Sequence, residues 1–299
     1  MTTLNNLKSF LQQAHKTKKG RKAKPQPIHV SKKTEIEYYK ALLSICHLCQ
    51  KGVKDEIEPL LKFNMGDSLE VKPGDGIFSS IKNAFENLKT KIISSVELVV
   101  EQIATDVVLK QKKASDRQII DILYKSTGVD FSGLMKDENL QVALDDAIEA
   151  NVSLIKSIPN KYFDSIESAI LTGLQTGQRA DFIKNEILKI GLSTDNRAML
   201  IAVDQLGKIN SRLTQIRQQS LGITHYTWST SQDERVRHSH RLRNGNLFAW
   251  SNPPEDGHPG VPIRCRCVAI PYTAHLMDSS APTPEQIMKK QIEVESKDE

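Results

Sequence analysis

This 299-residue chain has no run of about 18 apolar, uncharged residues, the length a helix needs to cross a bilayer. The nearest approach, Ile92 to Leu109, carries Glu97, Glu101 and Asp106, and so reads as a helix in water. The opening MTTLNNLKSFLQQAHKTKKG has neither a continuous apolar segment nor a small-residue cleavage site, so no secretory signal is expected. Aromatic residues make up only 5%, which predicts an aliphatic, helical core rather than an aromatic-rich sandwich. Four cysteines in two close pairs are too few for a disulfide framework in a chain this long. The chain also lacks a glycine-rich phosphate loop and a Ser or Cys nucleophile with a recognisable base. The net charge of +5 permits contact with DNA or an acidic protein without requiring it.

The expected fold class is α+β. The N-terminal two thirds are mainly helical with long helices, and a small α+β module with a strand-hairpin follows near the C-terminus. Residues 1–33 read as a basic flexible arm. Lys16, Lys18, Lys19, Arg21, Lys22, Lys24, Lys32 and Lys33 fall in its second half with no acid among them, and Pro25 and Pro27 break any helix. Such an arm is either a solvated tail or a contact for nucleic acid or an acidic partner.

Residues 34–221 form the helical region. Ile36, Tyr39, Leu42, Leu43 and Cys46 predict a helix over 34–63, and residues 64–76 read as a loop. Apolar residues from Ile77 to Val107 recur in steps of three and four, which predicts one long amphipathic helix. A shorter helix is expected over 114–136. Further helices should run from Asn139 to Ile158, ended by Pro159, then over Tyr162–Leu174, and from Arg179 to Ile190, closed by Gly191. The last runs from Asp195 to Leu221.

At Gly222 the character changes, and residues 222–274 read as a separate module. Ile223–Thr230 is a predicted strand, Asn244-Gly245 within Leu242–Trp250 signals a hairpin turn, and Val268–Tyr272 can close the sheet. Residues 275–299 are a charged tail or helix.

Between Asp233 and Cys267 the chain gathers His238, His240, His258, Cys265, Cys267, Asp233 and Glu234, together with six arginines. A segment so rich in proline, glycine and arginine has little apolar core, so a structural metal or burial against a neighbour would help it fold. Thiolate and imidazole are preferred zinc ligands, which makes His240, His258, Cys265 and Cys267 a candidate set. Asp233 is the alternative ligand, or the carboxylate that orients a ligating imidazole. The competing reading is small core cysteines beside a hydrogen-bonded histidine, since the two cysteines are one residue apart and zinc fingers leave two to four. Cys46-x-x-Cys49 sits in a helical pattern and reads as a pair of buried helix-face cysteines. The alternating charges of Asp233-Glu234-Arg235-Val236-Arg237 read as a salt-bridge network rather than catalytic carboxylates.

One ordered set of motifs carries a resemblance. Arg197-Ala198-Met199-Leu200-Ile201-Ala202 is followed by Tyr226-x-Trp228 and Asp233-Glu234-Arg235-Val236-Arg237. Then come His240, Leu242, Gly245, Phe248, Pro253-Pro254, His258-Pro259-Gly260 and Cys265-Arg266-Cys267. Over about residues 150–272 the chain resembles the phage Mu protein F family of minor head proteins. It departs from the family pattern at Val203-Asp204, where members often carry Thr-Glu, and in a longer Pro254–Pro262 loop.

The resemblance implies a minor structural protein of a tailed-phage head, a homo-oligomer or multi-copy component of the virion, assembled in the host bacterial cytoplasm. The implied partners are portal, major capsid or scaffold proteins, with packaged DNA as a further contact. The residues themselves, with no recognisable nucleophile and base, lead to the expectation of a non-enzyme whose only cofactor would be one structural zinc. The alternative is a metal-dependent nuclease or toxin-like effector using the His/Asp/Cys cluster. If the arm binds DNA through its lysines and arginines, truncation should weaken binding and flatten its dependence on salt. Equal affinity and salt slope with and without the arm, in titrations across salt concentrations, would make it a bystander.

Overall fold

A computed structural model describes residues 26–64, 76–127, 130, 132, 140–274 and 280–295. Six helices come first: α1 (Lys32–Gly52), α2 (Glu58–Asn64), α3 (Gly76–Glu97), α4 (Val100–Thr127), α5 (Gln141–Gln175) and α6 (Ala180–Ser220). Then follow β1 (His225–Ser229), α7 (His238–Arg243), β2 (Leu247–Ala249), β3 (Val268–Pro271) and α8 (Pro284–Glu295). The expected α+β class is therefore the observed one. No described helix is long and apolar enough to cross a membrane. The chain divides into two compact units. One holds Lys33–Val107 and Asp146–Val203; the other holds Met1–Lys32, Val108–Asp145 and Asp204–Glu299.

The first unit is a helical core. Tyr38, Leu42, Ile45, Cys46 and Cys49 share the buried face of α1, so the cysteine pair is core packing. Burial pushes both thiols up to about 12, far from the thiolate that redox or metal chemistry needs. Helix α1 ends at Gly52, where a side chain would strike Leu88, and a short π-helical turn, Val53–Ile57, links it to α2. Phe85 meets Phe163 edge to face at 5.6 Å, and Tyr38 donates a 2.6 Å hydrogen bond to Asn151.

Four boundaries differ from those the sequence predicts, one being the expected break between residues 107 and 114, which α4 runs through without interruption. The apolar stripe from Ile77 to Val107 is broken at Leu98 and Val99, and Leu98 is 87% exposed. After the break the buried positions are Val100, Ala104, Val107 and Val108, so Val107 keeps its place on the stripe while Val99 and Ile103 give way to the residues after them. Pro159 does not end α5. A proline inside a helix costs about 3 kcal/mol. Ile155, Ile158, Tyr162 and Phe163 around it are all 2% exposed or less, and each such burial contributes about 1.5–3 kcal/mol, so packing wins. Gly191 does not close α6 either. It makes room for the Gln50 amide, which donates to the Gly191 carbonyl at 3.2 Å and to Asp195 at 2.9 Å.

The second unit carries a three-stranded antiparallel sheet, ordered β2-β1-β3. Tyr226 pairs with Phe248 and Pro271, and Trp228 with Ala269. Asn244-Gly245 is not a tight two-residue hairpin turn between adjacent strands. It stops α7, which lies in the connection from β1 to β2. Gly245, at φ +88°, donates to the Trp228 carbonyl, while Asn244 accepts from the Thr230 N–H.

The sheet rests on the end of α6. The Gln218 amide donates to the Ala269 carbonyl at 3.1 Å and accepts the Trp250 indole N–H at 3.0 Å. Arg217, fully buried, is held by Asp116 and by Ser115 at 2.7 Å. Helix α8 docks as well, its Gln291 accepting the N–H of Leu247 on the edge strand.

Of the basic arm, Lys16, Lys18, Lys19, Arg21, Lys22 and Lys24 lie outside the described residues. Lys32 and Lys33 form the first turn of α1. The stretch between is docked. Ile28 is 1% exposed; the Gln118 amide accepts from the His29 N–H and donates to the His29 carbonyl; Asn210 donates to the Ile28 carbonyl. A truncation that tests the arm alone therefore stops before Gln26. Ile28→Asp should lower stability by about 2–4 kcal/mol, because it buries a charge beside amides that need backbone partners.

Candidate metal centre

Strand β1 alternates, with Tyr226 and Trp228 both fully buried on one face. Each organises one imidazole. The His240 ring, on the single-turn α7, stands edge-on to Trp228 at 5.2 Å. The His258 ring packs against Tyr226 at 5.6 Å and Trp250 at 4.7 Å.

Only the first of these meets the cysteines. His240 Nδ1 lies 3.6 Å from Cys265 Sγ and 3.5 Å from Cys267 Sγ. The three ligand atoms fall within 4.8 Å of one another, the one such group among the described residues. All three residues are buried and both thiols are free. One ring nitrogen has a single lone pair or proton in its plane, so it cannot make two good hydrogen bonds to two sulfurs. A tetrahedral metal with bonds of about 2.3 Å to sulfur and about 2.0–2.1 Å to nitrogen would hold those atoms about 3.6 Å apart.

The loop that presents the cysteines is fixed by α6. Gly260 has a φ of +87°, and a side chain there would come within 3.0–3.1 Å of Ser211 and the Gly207 carbonyl. The Ser211 hydroxyl donates to the Pro259 carbonyl at 2.6 Å. Arg264 is a non-glycine residue at φ +58°, a conformation that favours glycine, and its N–H is held by Asp204.

The surroundings favour an anionic sulfur on Cys265 and a retained proton on Cys267. The Gly260 N–H donates to Cys265 Sγ at 3.4 Å. The Trp228 indole N–H is buried without a nitrogen or oxygen acceptor, and it favours the Cys267 thiolate. A hydrogen bond from the Cys267 thiol pushes Cys265 down, and holding that proton pushes Cys267 up. Two sulfurs thus share one proton beside one imidazole. A metal ion would take its place, and this cluster can hold one.

The other sequence candidates lie elsewhere. His258 is outside the group: its Nδ1 is 2.9 Å from the Tyr226 hydroxyl, and its ring hydrogen-bonds the Trp250 backbone. It fills the Tyr226 end of the buried face, whereas the cysteines stand at the Trp228 end. Asp233 is neither ligand nor orienting carboxylate. Arg266 donates to it at 2.6 Å and holds its carboxyl below the usual range, with Arg235 alongside. The residue that reaches His240 is Asp256, whose Oδ2 is 2.9 Å from Nε2 and whose Oδ1 takes Arg243. Burial opposes its ionisation, but the hydrogen bonds from His240 and Arg243 outweigh that and keep its carboxyl below the ordinary range. The sequence signal for Asp256 was the rule that a ligating imidazole needs a partner for its second nitrogen.

Residues 164–270 match the family described as Phage Mu protein F like protein. That stretch begins in α5 and ends in β3, and it contains all three members of the cluster together with Asp256. Over these residues the chain is similar to the phage Mu protein F-like family. It is also 33% identical, over 277 residues, to an uncharacterized protein of Haemophilus influenzae. That match takes in 92% of this chain, which spans only 59% of the relative's length. No solved structure matches the chain.

Within this phage Mu protein F-like region His258 gives a pH-dependent stability. Burial lowers its pKa, so below about pH 6.5 the unfolded chain binds a proton that the folded one resists. Stability should fall as pH drops from 7.5 towards 5.5, measured by urea unfolding with chelator present. His258→Gln should flatten the slope.

Proposed function

We propose that this chain is a minor head protein of a tailed bacteriophage, associated with portal or inner capsid and acting in head assembly or genome delivery. The family match, which takes in the whole cysteine–histidine cluster, carries this reading. The chain works through contacts rather than catalysis. Its partners are portal, capsid or scaffold proteins and, through the basic arm, packaged DNA. Several copies take part in each head. Purified heads from a producing lysate should contain the chain, and particles assembled without its gene should be defective. Heads that lack the protein and form normally without it would overturn the reading.

The same reading gives the module one structural zinc, with His240, Cys265 and Cys267 supplying three of its four tetrahedral positions. Two soft thiolates and an imidazole select zinc over the hard cations. The N···S separations of 3.5 and 3.6 Å support it, as do the N–H groups turned towards sulfur. A nuclease reading that uses His240 as its base is disfavoured because both nitrogens of that ring are engaged, by the sulfurs and by Asp256. Cleavage of plasmid DNA in Mg²⁺, Mn²⁺ or Zn²⁺ that is lost on His240→Ala would reverse this. Elemental analysis should find about one zinc per chain, lost in Cys265→Ser and Cys267→Ser and retained in His258→Ala. Folded wild-type protein free of zinc would refute the site.

A further inference from the structure

We propose that Asp256 is the positioning residue of the centre. It fixes the proton of His240 on Nε2 and so presents the Nδ1 lone pair to the metal. The proposal rests on the zinc reading above and adds the residue that orients its histidine ligand.

The argument begins in the backbone. Pro254 to Gly257 form a turn in which the Gly257 N–H donates to the Pro254 carbonyl at 2.8 Å. Gly257 takes a φ of +95°, which a side-chain-bearing residue rarely adopts. The turn carries Asp256 to α7, where Oδ2 stands 2.9 Å from His240 Nε2. Oδ1 is taken by Arg243, one turn further along α7, whose guanidinium also lies 5.2 Å over the Trp228 ring. Asp256 is thus held from two directions by the helix whose histidine it orients.

The ring has no freedom left. His240 is 2% exposed, and Trp228 closes one side. An ionised carboxylate only accepts, so the ring nitrogen facing it must carry the proton. In the neutral ring the other nitrogen, which faces both sulfurs, then carries the lone pair. Such carboxylate–imidazole–metal arrangements raise ligand basicity and hold the ring in the bonding orientation.

A role confined to the Asp256–Arg243 ion pair would change the stability of the metal-free protein and leave metal binding by folded protein alone. The full chain is therefore tested for Zn²⁺ affinity by chelator competition and for the absorption spectrum of the Co²⁺-substituted protein. Asp256→Ala should lower Zn²⁺ affinity about 10–100-fold and perturb the Co²⁺ bands. The isosteric Asp256→Asn keeps the turn and the volume, and should give a smaller loss in the same direction. Asp256→Glu should restore most of the affinity. Wild-type affinity and an unchanged Co²⁺ spectrum in folded Asp256→Asn and Asp256→Ala would overturn the proposal while leaving the zinc site standing. A wild-type chain that binds no Zn²⁺ would remove both.

Discussion

The two-residue period of β1 is the constraint on which the site depends. Tyr226 and Trp228 must face the same way, and both are fully buried in the middle strand of the sheet. Neighbouring residues on one face of a strand are about 6.5–7 Å apart, room for one imidazole over each ring. That spacing sorts the two buried histidines. His258 takes the Tyr226 end as a neutral packing group. His240 takes the Trp228 end, where Cys265 and Cys267 return beside β3. A slip of one residue in β1 would turn both aromatic rings to solvent and dissolve the separation.

The module does not hold itself together by apolar burial alone. Its aromatic centre of Tyr226, Trp228 and Trp250 is completed by Cys265, Cys267 and Ala269, with Phe248 against it. The rest of its anchorage is polar and comes from α6. Gln218 satisfies one backbone carbonyl and one indole, Ser211 holds the Pro259 carbonyl, and Asp204 holds the strained Arg264. Each buried polar group left without its partner would cost about 1–3 kcal/mol, so these contacts specify position as much as they stabilise. Glutamine side chains do the same at two other backbones: Gln118 pairs with both peptide groups of His29, and Gln291 with both of Leu247. A carboxamide offers one donor and one acceptor, like a peptide unit, and can cap a lone strand without adding another.

Repeating patterns were legible in the sequence itself. Periodicity located the helices, the change of composition at Gly222 located the sheet, and the ordered motifs around DERVR and CRC located the family. Single-residue punctuation was not. Pro159, Gly191 and Asn244-Gly245 each signal a stop or a tight turn locally. At Pro159 the burial of four large side chains overrides the signal, and at Gly191 a long-range approach by Gln50 uses the glycine differently. Asn244-Gly245 does turn the chain, but at the end of a helix that periodicity could not detect in six residues.

Composition and motif order by themselves determined that a cysteine–histidine cluster in an arginine-rich module would be the point of interest, and which family the module resembles. Which histidine joins the cysteines was decided by tertiary structure alone. So was the choice of Asp256 over Asp233 as its carboxylate partner. The physical reason is that sequence spacing constrains only neighbours along the chain. His240 is 25 residues from Cys265 and 16 from Asp256. Their meeting is set by strand pairing, by the turn at Gly257 and by the close approach of Gly260 to α6, none of which leaves a periodic trace.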